Sequence, residues 1–72
     1  MTAPQVAAWA IRYRYPGTVN GRPVGKVYVV DIGHRSWSYT YDIEEATTFA
    51  TRAEAEAVAR RHYWPEAKAV PA

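Results

Sequence analysis

From Ala8 to Tyr15 the chain alternates strictly, with Trp9, Ile11, Tyr13 and Tyr15 on one side and Ala8, Ala10, Arg12 and Arg14 on the other. A period of two built from aromatic and β-branched residues predicts a first strand. Pro16-Gly17 is expected to stop it. A wide connection of roughly eight residues should follow, carrying the turn dipeptide Asn20-Gly21 and then Pro23. The β-branched run Lys26–Ile32 predicts a second strand at the centre of the sheet. Gly33 and His34 belong to a short turn, with His34 expected in solvent. Trp37, Tyr39 and Tyr41 then alternate with Ser36, Ser38 and Thr40 as a third strand.

The period changes after Asp42. An acidic turn, Asp42-Ile43-Glu44-Glu45, and the link Ala46-Thr47-Thr48-Phe49 lead into Thr51-Arg52-Ala53-Glu54. That tetrapeptide is a capping box. The Thr51 hydroxyl accepts from the Glu54 amide, and the Glu54 carboxylate reaches back to the Thr51 amide, satisfying two orphan donors. It predicts one helix over about residues 52–63, closed by Pro65, because the residue before a proline avoids the α region. Ala55, Val58, Ala59 and His62 share the inner face, and Glu56 and Arg60 form an i, i+4 pair on the outer one. Residues 66–72 are a tail or a short edge strand, and residues 1–5 a loose leader.

A helix face made of Ala and one Val can approach a sheet closely only if the sheet supplies the bulk. At least part of the stripes Trp9/Ile11/Tyr13 and Trp37/Tyr39/Tyr41 should therefore lie under the helix, with Phe49 at its entrance. The other sheet face should expose Arg12, Arg14, Ser38, Thr40 and residues of the second strand. The expected fold is α+β: a three-stranded antiparallel β-meander with one α-helix packed on one face, residues 1–72 forming a single domain. An alternative is a homodimer in which two sheets join edge to edge.

At 72 residues the chain is near the lower limit for independent folding. Without cysteine it has neither disulfide nor thiolate–metal site to brace it, so an unusually aromatic core or a partner subunit is expected to support it. The start of the chain has no signal-peptide pattern, and no apolar run approaches the roughly 18 residues that span a bilayer. A soluble, cytoplasmic protein is expected. The net charge of +2 conceals a split: +4 over residues 1–30, −3 over 31–45 and +1 beyond. That split suits steering toward a charged partner.

Catalytic and metal chemistry find little footing. His34 and His62 belong to no ligand-spaced cluster. Ser36 and Ser38 near His34 lack an orienting acid and an oxyanion hole. Asp42, Glu44 and Glu45 lack the calcium-loop spacing, and the glycines form no phosphate-binding loop. No catalytic residue, metal or cofactor is expected. Single-stranded nucleic acid is recognised on sheets by aromatics and cations together, but Arg12 and Arg14 alternate with Tyr13 and Tyr15 and so face away from them. Protein recognition fits the Tyr, Trp and Arg content better. The candidate contact residues are the basic hairpin Arg12, Arg14, Arg22 and Lys26, the acidic Asp42, Glu44 and Glu45, and the aromatics Tyr15, Tyr63 and Trp64.

The stretch from Asp42 to Arg60, an acidic turn followed by Phe49-Ala50-Thr51-Arg52-Ala53-Glu54-Ala55 and one helix, resembles small phage and prophage α+β proteins. Some small phage proteins of this class are anti-CRISPR proteins. The resemblance implies a stoichiometric, non-enzymatic inhibitor in the host cytoplasm that occludes a host protein or ribonucleoprotein complex. It carries over no catalytic residue. Direct nucleic-acid binding through the basic hairpin is the alternative.

Overall fold

A computed structural model of the chain describes residues 8–33 and 36–72. The predicted leader at residues 1–5 and the placement of His34 lie outside the described residues. The elements are β1 (Trp9–Val19), β2 (Arg22–Gly33), β3 (Ser36–Thr40), a 3-10 turn (Ile43–Glu45), α1 (Arg52–His62) and β4 (Lys68–Pro71). The class is α+β as expected, but the sheet has four strands rather than three, in the order β3-β2-β1-β4. The segment expected as tail or edge strand pairs antiparallel with β1, from Trp9↔Pro71 to Arg12↔Lys68.

The first two strands form a long, tight hairpin instead of strands joined by a wide connection. Pro16-Gly17 does not end β1; the ladder absorbs it as an irregularity between Tyr15 and Thr18 and resumes to Val19↔Arg22. Asn20 and Gly21 both take positive φ, 53° and 78°. That combination makes the two-residue turn whose twist matches its flanking strands. On β2, Val24, Val27 and Val29 all join the core, which requires a break in alternation. Gly25, at φ 78°, supplies it.

The capping box forms with one change of partner. Thr51 Oγ1 accepts from the Glu54 amide at 3.1 Å, while the Glu54 carboxylate accepts from Ala50 N, not Thr51 N, at 3.2 Å. The helix ends at His62, with Tyr63 as a left-handed cap at φ 54°, two residues before Pro65. Ala55 is fully buried and Ala59 nearly so, against Ile11, Tyr13, Val27 and Val29. Val58 packs at the margin.

Helix α1 lies over β1 and β4, and aromatic rings extend the cover. Trp64 stacks on Tyr13 at 5.5 Å and on His62 at 4.7 Å, and meets Trp37 edge-on at 5.5 Å. Tyr15, Tyr39 and Tyr41 continue the series. Tyr41 is the part of its stripe that the helix leaves open: it is 65% exposed, because α1 lies over β1 and β4. His62, expected on the inner face, is exposed while still touching both tryptophans.

Above Arg12↔Tyr28 the β1–β2 ladder ends, and residues 47–49 bond into both strands there. Phe49 exchanges two backbone hydrogen bonds with Trp9, at 2.9 and 2.7 Å. Thr47 N donates to Val29 O at 3.0 Å, and the Thr47 hydroxyl accepts from Asp31 N at 2.7 Å. The link read as a simple lead-in is thus part of the sheet's backbone bonding.

Candidate binding face

Strand register, not sequence proximity, builds the most chemically distinctive surface. Across the sheet face turned away from α1, Thr40 lies opposite Tyr28, Tyr28 opposite Arg12, and Arg12 opposite Lys68. Facing pairs of this kind hold their Cβ atoms about 5 Å apart, so the row crosses all four strands in about 14 Å. One step toward the hairpin tip, Arg14 lies opposite Lys26. Four cations from three strands therefore gather beside one aromatic ring. Arg12 and Tyr28 are half-buried, while Arg14, Lys26 and Lys68 are exposed.

Arg12, Arg14, Lys26 and Lys68, with Tyr13 and Glu66, line a cavity of about 110 Å³. A water occupies about 30 Å³ of liquid, so the hollow admits a group of phosphate or carboxylate size. Glu66 stands 3.8 Å from Arg14, both side chains well exposed. An ion pair that open is weak and yields readily to a competing anion.

The acidic turn adjoins the same row at its other end. Thr40 donates its hydroxyl to Glu45 Oε2 at 3.1 Å and accepts from Asp42 N at 3.1 Å. Asp42 Oδ1 in turn accepts from Glu44 N at 2.9 Å, capping the 3-10 turn. Asp42 and Glu45 are thus held by local bonds, and Glu44 is exposed. Across the sheet the row runs from carboxylate through hydroxyl and aromatic to two cations.

The remaining sequence candidates lie elsewhere. Arg22 sits at the hairpin tip, about 13 Å along β2 from Lys26. Tyr15 packs against Tyr39 at 4.7 Å on the helix side of the sheet. Trp64, expected as an exposed anchor, is half-buried in the aromatic cluster, because the left-handed turn at Tyr63 folds the chain back over Tyr13. Tyr63 is 90% exposed as expected. Sequence reasoning missed Tyr28 and Lys68. The parity of Lys26 and Tyr28 was readable, but no local pattern reveals that their neighbours on the next strand are Arg14 and Arg12. Among the described residues, no three His, Asp or Glu side chains gather in a metal-holding group. Among the same residues, no helix is long and apolar enough to cross a membrane.

Comparison of the chain with known protein families, with curated proteins and with solved structures gives no match.

Proposed function

We propose that this chain is a small non-enzymatic binding module that covers an anionic surface of a larger partner with its basic sheet face. The observation that carries the reading is the convergence of Arg12, Arg14, Lys26 and Lys68 on that one face. Those cations outnumber the nearby Glu66, in a protein whose net charge is only +2. Concentrated charge of one sign raises encounter rates and fixes orientation more than it adds affinity. The setting we propose is inhibition of a host defence complex by occlusion. That part rests solely on the likeness of residues 42–60 to small phage proteins.

The test compares two triple variants of equal net charge on immobilised heparin, a generic polyanion. Changing Arg12, Arg14 and Lys26 to Glu should abolish retention. Changing Arg22, Arg60 and Arg61 to Glu should leave most of it. Wild-type retention should also fall steeply with salt, since exposed charges are screened within about 10 Å at 0.1 M ionic strength. Equal loss in both variants would mean that net charge, not this face, does the binding.

A further inference from the structure

We infer that the anionic partner of the basic face is single-stranded nucleic acid, with Tyr28 as the stacking platform for a base. The inference rests on the binding face proposed above and names its ligand. A single strand presents two chemistries side by side, a phosphate line and flat apolar bases. The face offers their complements in the same arrangement. On the β1 and β4 side of Tyr28 lie Arg12 and Lys68, with Arg14 and Lys26 one step along, around a hollow that admits a phosphate-sized group. On the β3 side lie the Thr40 hydroxyl and the Glu45 carboxylate.

This gradient orients the ligand. Phosphates are drawn to the cationic side and repelled from Glu45, so a base projecting toward β3 falls over Tyr28. Its edge then meets acceptors. A carboxylate accepts from the exocyclic amine of cytosine, a donor that thymine and uracil lack. A duplex fits poorly, because its stacked bases have no free face to offer Tyr28. The alternation that places Arg12 and Arg14 opposite Tyr13 and Tyr15 is no obstacle, since the aromatic partner comes from β2.

Fluorescence anisotropy with labelled oligocytidylate and oligothymidylate, their ribose counterparts and a duplex of equal length tests the inference. Single strands should bind more tightly than the duplex, and cytidylate more tightly than thymidylate. The deoxyribose and ribose arms tell whether DNA or RNA is preferred. Tyr28→Leu should weaken binding roughly tenfold with its salt dependence unchanged, because stacking and not charge is lost. Tyr28→Phe should bind like wild type, and Lys68→Gln should make the logarithmic salt slope shallower by about 0.7 for a lost phosphate contact. Glu45→Ala should erase the cytidylate preference. Circular dichroism confirms that each variant is folded.

Wild-type affinity in a folded Tyr28→Leu, or duplex binding as tight as single-strand binding, overturns the inference. If no oligonucleotide binds while heparin retention still depends on the face, single-stranded nucleic acid is wrong. An acidic protein surface then becomes the partner, and the broader reading survives. If neither heparin nor oligonucleotide depends on the face, both fall.

Discussion

Thr51 is the residue whose sequence context and observed geometry agree most closely. Its hydroxyl is 3.1 Å from the Glu54 amide, with extended backbone at φ −130°. Thr51→Ala leaves that amide without its partner and should cost about 1 kcal/mol, lowering the melting temperature by roughly 4–8 °C in a domain of this size. A melting curve superimposable on wild type would remove the cap from the stability of the fold. Tyr13 gives a second residue-level prediction. Burial, with smaller contributions from Tyr15 and Tyr39, raises its pKa above the ordinary tyrosine value. The folded state therefore keeps the Tyr13 proton at a pH where the unfolded chain, near pKa 10, releases it. This stabilisation is complete below about pH 10 and is lost as pH rises through the folded value. Urea unfolding at increasing alkaline pH should show stability falling, with a shallower fall in Tyr13→Phe.

At the scale of elements, the helix and the first hairpin were legible to different degrees. The helix declares itself through a local cap and a local period, and its observed bounds, Arg52–His62, stop one residue short of the expected end. The hairpin differs from its sequence pattern because Pro16-Gly17 is a stop signal only if the neighbouring strand cannot accommodate an irregularity, and β2 can. The small inner face of α1 carries its own prediction. Ala55 is completely buried on Ile11, Tyr13 and their neighbours, whereas Ala57 is exposed. Ala55→Leu should destabilise by about 1–3 kcal/mol through overpacking. Ala57→Leu should stay within about 0.5 kcal/mol of wild type. Chemical denaturation of the pair separates these outcomes, and equal behaviour would mean that helix and sheet are not closely packed.

For the whole molecule, extents of 48 × 26 × 20 Å describe an elongated body, and charge is laid across the sheet as well as along it. The Arg12/Arg14/Lys26 charge-reversed protein should lose heparin retention yet melt near wild type, because those side chains stand on the sheet face turned away from α1 and none is fully buried. Unfolding of that variant would move these residues from function to structure. The α+β class, the strand alternation, the helix with its cap and the polar character of the face carrying Arg12 and Arg14 are legible in the residues alone. These follow from local periodicity and local hydrogen bonds, which any stretch of about ten residues displays. Three features come from the folded chain instead: β4 completes the sheet with Lys68, Thr47 and Phe49 bond between the ends of β1 and β2, and Tyr28 stands between Arg12 and Thr40. Those arrangements depend on register between strands distant in sequence, and register is set by the packing of the whole core.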